Sequence, residues 1–360
     1  MRTRLAISQA VHQIDSTCGD STGFFVTFWR IHGLRFGSRT CDFGSRNLEN
    51  QGVLAEICDS TIAEVQVSLI PKELELPSDS IPRVVRQWKG PSGTIIRSLE
   101  AVESPTGVHW ILRNFGSLIA KISQYGESVE LFPPVSLDPS YSAATIAGPV
   151  SSFVRWLRGM PSLHASSVVV DGKVLAVAGQ SGAGKSTTIA ALAHAGFPLL
   201  TDDVLGWRET PDSIQISPGQ VPIKLWPATL LALGFNPDSF PRVRPGSEKR
   251  IVAMPFHPGN AELELGAIYL LETDSDLRPG EIRPVTGSAA FQALRVHCRD
   301  ASILPPHLWQ LQFQSIAGLA SRIPVRRVGA HSGLDRLPEF ARTLVDDFRR
   351  VSATQKSAGS

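Results

Sequence analysis

The run GQSGAGKS at residues 179–186 limits what this chain can fold into more than any other stretch. Gly179, Gln180, Ser181, Gly182, Ala183, Gly184, Lys185 and Ser186 satisfy G-x-x-x-x-G-K-[ST] in full, and Thr187 follows directly. The flanks support the reading. VLAVA ahead of the run is an apolar strand, and STTIAALAHAG after it reads as a helix stopped by Gly196. A strand that feeds a glycine-rich turn and then opens a helix brings backbone N–H groups together. The partial positive charge of the helix start adds to them. Such a loop takes the phosphates of a nucleotide. Lys185 supplies a point charge to the outer phosphates, and Ser186 is placed to ligate Mg²⁺. This is the grammar of an α/β domain.

One short strand beyond that helix, FPLLT runs into Asp202 and Asp203. In a βαβ unit the two strands run parallel and their C-terminal ends meet one crevice, so the paired carboxylates are expected beside the phosphates. Two acids at close range resist joint ionisation unless a cation intervenes. One therefore suits a general base for a hydroxyl, the other a metal or water ligand. Counting places His164 as well. Asp171-Gly172 is a type I′ hairpin signal between LHASSVVV and KVLAVAG. With those two as the turn, Val170 faces Lys173 and His164 faces Gly179, at the outer-phosphate end of the site.

The rest of the chain frames this domain. At 360 residues there is room for about two domains. Residues 20–135 are β-rich, with FFVTFWRIHGLRF, AEVQVSLI, SGTIIRSLEAV, GVHWILRNF and ESVELFPP as strand-like runs, and 133–145 is a linker. The expected division is a β-rich region over 1–140, a catalytic domain over 150–350 and a disordered tail over 351–360. Within the second part, PVSSFVRWLRGM, PATLLALG, SAAFQALRVHC, PPHLWQLQFQSIAGLASRI and DRLPEFARTLVDDFRR read as helices. LGAIYLLE and PVRRV read as strands, and 236–260 as a loop. In that loop Arg242, Arg244, Lys249 and Arg250 form either a solvated face or contacts for nucleotide or an acidic peptide.

Composition removes several function classes. A net charge of +2 argues against a nucleic-acid binder, and no apolar run reaches the roughly 18 residues of a membrane helix. Cys18, Cys41, Cys58 and Cys298 form no CxxC pair, which suits neither a disulfide framework nor a zinc site and fits a reducing, cytoplasmic setting. Asp42-Phe43-Gly44 and His297-Cys298-Arg299-Asp300 spell fragments of protein-kinase motifs in the wrong order, without the accompanying Lys/Glu pair, and read as accidental. Ala183 breaks the G-x-S-x-G pattern of a serine hydrolase elbow.

The segment LHASSVVVDGKVLAVAGQSGAGKSTTIAALAHAGFPLLTDDVL resembles the catalytic core of HPr kinase/phosphorylase. It is closer to the short HPr-kinase-like serine kinases of bacterial peptide-modification clusters, including those acting on lasso-peptide precursors. VPIKLWPATLLALG is similar to the segment that follows in the short family. The resemblance implies an α/β P-loop kinase domain of the HPr kinase/PEP carboxykinase-like type behind a β-rich N-terminal domain. It implies ATP and Mg²⁺ as cofactors, a peptide or protein with an acceptor serine as partner, and homo-oligomers. It makes Asp202 the catalytic acid/base, Asp203 its neighbour at the metal and His164 a helper near the transferred phosphate. The bifunctional enzymes carry a Glu two residues before a basic residue, whereas this chain has Pro222-Ile223-Lys224. Phosphorolysis is therefore not expected, and Lys224 keeps a positive charge for phosphate. The expectation is an ATP-dependent serine kinase. The alternatives are an HPr-type kinase/phosphorylase in carbon regulation and an ATP-binding regulator with little catalysis.

Overall fold

The computed structural model describes residues 82–89, 93–104, 107–132 and 146–358, without 220, 221, 244, 245, 260, 274 and 299–303; ahead of these it describes four strands between residues 18 and 69. The Asp42-Phe43-Gly44 run, Cys41, Cys58, Arg244, Arg299, Asp300 and the linker at 133–145 lie outside the described residues. The chain is a mixed α/β protein. Its contacts gather into two units, Met1–Ala144 and Thr145–Ser360. Among the described residues no helix is long and apolar enough to cross a membrane.

Among the described residues, the first unit is a nine-stranded sheet. Its strands are β1 (Cys18–Gly19), β2 (Phe25–Ile31), β3 (Leu34–Ser38), β4 (Val65–Leu69), β5 (Arg83–Lys89), β6 (Ile95–Ser104), β7 (Gly107–Asn114), β8 (Ser117–Ser123) and β9 (Ser128–Leu131). Their order is β1-β2-β3-β4-β9-β8-β7-β6-β5, with β5 to β9 an antiparallel meander and β4 parallel to both β3 and β9. Val102, Ile111, Leu118 and Phe132 make a small core. Besides the two-residue β1, two of these strands lie outside the runs expected from sequence. β5, RVVRQWK, spaces its apolar residues with three cations, and β8, SLIAKIS, follows a two-residue turn at Phe115-Gly116 that carries no Asn-Gly or Asp-Gly signal. Phe115 sits at φ 49 in that turn, a conformation its neighbours must enforce.

The second unit opens with a π turn (Ile146–Val150) leading into α1 (Ser151–Leu157). Then come β10 (Ser162–Leu163), β11 (Ala165–Val170), β12 (Lys173–Gly179), α2 (Lys185–His194), β13 (Leu199–Thr201), β14 (Leu205–Glu209) and β15 (Ile214–Ile216). After them follow β16 (Ile223–Leu225), α3 (Pro227–Ala232), β17 (Arg250–Val252), β18 (Leu263–Glu272) and β19 (Ile282–Val285). The last elements are α4 (Gly287–Val296), α5 (Trp309–Arg322), β20 (Val325–Gly329) and α6 (Leu337–Ala358). The main sheet runs β10-β14-β15-β18-β12-β11-β13, with β20 against β18 and β19 against β20.

The β11/β12 hairpin follows the expected register without a slip, from Val170↔Lys173 to Ala165↔Ala178. Asp171 (φ 50) and Gly172 (φ 81) both take the left-handed conformation a type I′ turn requires. The neighbourhood of β13 differs from expectation. It runs in the same direction as β12, but β11 lies between them, antiparallel to both. The parallel neighbour of β12 is β18, far along the chain. Sequence distance hid this pairing, because β11 returns on β12 through a two-residue turn and takes the adjacent slot first.

Two further expectations change. The loop over 236–260 contains β17, which pairs with β16 and places Lys224 opposite Ile251. The tail expected from 351 onward is instead the end of α6, which runs to Ala358. Phe340, Leu344, Val345 and Phe348 continue one apolar stripe on which Val351 also packs, so core burial carries the helix past its polar composition. The same core joins Val168, Val170, Leu175 and Val177 of the hairpin to Ile189 and Leu192 of α2 and to Tyr269 and Leu271 of β18. Each fully buried Leu or Ile there contributes roughly 2 kcal/mol. The small residues Ala190, Ala191 and Ala193 are buried too, which lets α2 lie close on the sheet.

Candidate active site

Lys185, Asp202, Asp203 and His164 gather at one edge of this sheet. β12 and β13 end there and β11 begins there, because β11 runs against both. β12 delivers the chain to Gly179. A Cβ at that position would stand 2.8 Å from the Leu271 carbonyl, so only glycine lets the loop leave so close to β18. The loop closes at Gly184, left-handed at φ 98, which is the N-cap of α2 and has no side chain to cap the first amides. Lys185 begins the helix but is buried, and its Nζ donates back to the carbonyls of Gly179 at 2.8 Å and Gln180 at 3.1 Å. The ammonium therefore lies over the loop. Thr187 points elsewhere: its hydroxyl lies 3.1 Å from that of Thr229, tying α2 to α3.

Asp202 and Asp203 follow β13 directly, and the structure separates them. Asp202 is 2% exposed and accepts a 2.6 Å hydrogen bond from the Ser166 hydroxyl. Burial first, then the Asp203 charge, pushes its carboxyl up to about 6, against the pull of Ser166, Lys224 and Lys185. Asp203 has φ 68, rare for a residue with a side chain, and its carboxylate is part-exposed where that of Asp202 is buried. Lys224 Nζ stands 3.4 Å from its Oδ2, and His164 Nδ1 stands 3.5 Å from its Oδ1.

His164 lies one step before β11, at the position the hairpin count assigns opposite Gly179. Its Nδ1 lies 2.9 Å from the Asp203 carbonyl oxygen. A carbonyl only accepts, so Nδ1 carries the proton and the left-handed turn at Asp203 is what aims that carbonyl at the ring. The His164 backbone N–H donates to the His297 carbonyl at 2.8 Å. The structure thus brings together Lys185, Asp202, Asp203, His164 and Lys224. It directs the described cations of the 236–260 loop elsewhere, Arg242 to Glu248 among them. Lys249 Nζ sits 5.2 Å above the Trp226 ring. The Arg250 guanidinium is buried, donating to the carbonyls of Pro237 and Glu248 and facing Asp238 at 3.5 Å.

Three participants were missed by sequence reasoning. Ser166 had a visible signal: Ser166 and Ser167 are adjacent hydroxyls in a buried strand otherwise made of Ala and Val. His297, set aside with an accidental motif, anchors His164 through its carbonyl. Its ring is held down to about 4 by burial and then by the Lys185 charge. His331 follows β20, and a Cβ on Gly184 would lie 3.3 Å from its Nε2. Burial lowers its imidazole below the usual histidine range. Neither histidine carries a local signal, since both reach the loop from strands and helices far along the chain.

As for a metal, the described residues contain no cluster of three or more His, Cys, Asp or Glu side chains arranged to hold one. The donor chemistry that Ser186 and Asp203 offer is oxygen only, which fits Mg²⁺, a hard cation commonly held by one or two protein oxygens together with substrate phosphates.

No family model matches this chain. No curated protein matches it either. Among solved structures, it is similar to the Hpr(Ser) kinase/phosphatase from Coxiella burnetii, with 17% identity over 52% of this chain and 96% of that one, at a TM-score of 0.30. A likeness of that size decides neither fold nor activity.

Proposed function

We propose that the chain is an ATP- and Mg²⁺-dependent kinase that phosphorylates a serine on a peptide or protein. The observation that carries this reading is the convergence at one sheet edge of a complete phosphate-loop sequence, an ammonium lying over that loop and a buried carboxylate held by a single hydroxyl. ATP with Mg²⁺ supplies the phosphoryl group and neutralises its oxygens. Lys185 and the amides of the loop and of the start of α2 hold the outer phosphates and meet the charge that develops in transfer. Ser186 and Asp203 would hold the cation, with Lys224 balancing Asp203. Asp202, at about 6, is largely ionised at neutral pH yet basic enough to accept the serine proton. The acceptor oxygen forms its bond to the γ-phosphorus as the bond to the β-phosphate oxygen breaks, and the proton leaves on Asp202. The acceptor class, and oligomerisation, are part of the same proposal and rest on the sequence resemblance alone.

The test is transfer from γ-labelled ATP–Mg²⁺ to a degenerate mixture of serine- and threonine-containing peptides, read by mass spectrometry. Phosphoserine in a subset of the peptides is the expected result. ATP turnover to free phosphate with no phosphopeptide supports the regulator reading instead, and phosphothreonine alone overturns the choice of acceptor.

A further inference from the structure

We infer that Ser166 is a positioning residue for phosphoryl transfer: its hydroxyl holds one oxygen of Asp202 and so presents the other to the acceptor hydroxyl. This rests on the kinase reading above and adds to it a residue that neither the phosphate-loop pattern nor the aspartate pair contains.

The direction of the bond is determined by its surroundings. The Asp203 amide donates to Ser166 Oγ at 3.4 Å, and an N–H can only donate. The hydroxyl proton is thereby left for Asp202 Oδ1, 2.6 Å away. One hydroxyl thus connects the first aspartate's carboxylate to the second aspartate's amide, at a residue with a left-handed backbone. Ser166 is 1% exposed and Asp202 2%, so no bulk water stands ready to replace the bond if it is removed. The chemistry of the holder matters as well. An arginine or lysine in contact with Asp202 would orient it equally well but would strip its basicity, whereas a hydroxyl orients a carboxylate and leaves it able to take a proton.

The neighbouring residue provides a built-in control. Ser167 is as deeply buried, lies on the same strand and bonds across the same pair of strands, to Thr201 at 3.0 Å. Successive strand residues face opposite sides of a sheet. Ser167 therefore makes a cross-strand link of the same kind as Ser166, on the face without the aspartates. A purely structural role would be shared by both, and a positioning role belongs to Ser166 alone.

The experiment compares Ser166→Ala, Ser166→Thr and Ser167→Ala with the wild-type chain. It measures single-turnover transfer from ATP–Mg²⁺ to the serine peptides the wild type modifies, affinity for a fluorescent ATP analogue, and melting temperature. Ser166→Ala is expected to slow transfer roughly 10- to 100-fold, with nucleotide affinity within about twofold of wild type. Ser166→Thr, which keeps the hydroxyl, should recover to within about threefold, and Ser167→Ala should melt lower while transferring within about twofold of wild type. Should Ser166→Ala be unfolded at the assay temperature, Ser166→Cys, with a weak donor in the same volume, takes its place and should show the same loss. Equal slowing by Ser166→Ala and Ser167→Ala, or a folded Ser166→Ala at the wild-type rate, overturns the role of Ser166 and leaves the kinase reading intact. A wild-type chain that transfers nothing overturns the kinase reading and this inference with it.

Discussion

Asp202 and Asp347 are each 2% exposed, both in the second unit. Around Asp347 every approach is a strong donor. Tyr269 donates its phenol proton to Oδ2 at 3.0 Å, the Arg326 guanidinium lies 2.6 Å from the same oxygen and donates to Oδ1 at 2.8 Å, and Arg350 reaches Oδ1 at 3.2 Å. Burial and then the Asp347 charge push the Tyr269 phenol above its ordinary value. This cluster bolts α6 to β18 and β20. Asp202 has one hydroxyl, a like charge beside it and two cations that act without touching it. Equal burial therefore produces two different groups. A carboxylate surrounded by guanidinium groups is a fastener. One that is desolvated and underpaired keeps a raised proton affinity, at a cost in stability, and such groups concentrate at sites of chemistry.

The largest effect is expected at Lys185. Lys185→Ala should lower transfer by roughly 10³-fold and weaken nucleotide binding while melting near wild type, checked by labelled-ATP transfer and analogue titration. Unchanged turnover would mean that the polar edge is not a reaction site, and the contrast with Asp347 would lose its meaning.

Next in size is Asp202→Asn, expected to reduce transfer by about 10²–10⁴-fold with nucleotide affinity near wild type. The same variant sharpens the stability half of the contrast. Asp202 has a folded-state value raised to about 6 from 3.8, so its protonated form is the one the fold favours. Its contribution to stability is complete below pH 3.8 and falls away as pH rises through about 6. Asp202→Asn should therefore gain stability relative to wild type at pH 7 and lose that advantage near pH 4, measured by denaturant melts at both values. A variant less stable than wild type at pH 7 would show that Asp202 is a fastener too.

The smallest change in activity is expected from Asp347→Asn. Removing one partner from a buried ionic cluster should cost roughly 3 kcal/mol in unfolding free energy and leave transfer within about twofold of wild type in the folded protein. A transfer defect as large as that of Asp202→Asn would erase the distinction between the two carboxylates.

Much of the second unit was legible in the chain. The strand, loop and helix around residues 173–194 lie where their period and punctuation place them, and the Asp171-Gly172 turn fixed a hairpin register that positions His164 opposite Gly179. These are local matters: a period, a turn dipeptide and a glycine pattern act over a few residues. The insertion of β11 between β12 and β13, the pairing of β12 with β18, and the helical path of residues 351–358 were not legible. Each depends on which distant surface is available for burial. At the site, Lys185, Asp202, Asp203 and His164 could be named from spacing. Ser166 and His297 could not be placed there, because a hydroxyl in a strand and a carbonyl at a helix end acquire a partner only once the sheet is assembled.

By itself, then, the amino-acid order determined that this chain has a phosphate-loop sequence between a strand and a helix, two acids one strand further on, and a histidine brought to the same end by a tight hairpin. Those features rest on backbone geometry and on hydrophobic period, which are set by neighbours in sequence. Only the tertiary structure decided that the two acids differ. Asp202 was turned inward to Ser166 and desolvated, and Asp203 was bent outward at a left-handed residue to meet Lys224 and His164. Proton affinity depends on the dielectric and on charges within a few ångströms, and those are supplied by β11, β13 and β16 only when the three strands lie at one edge.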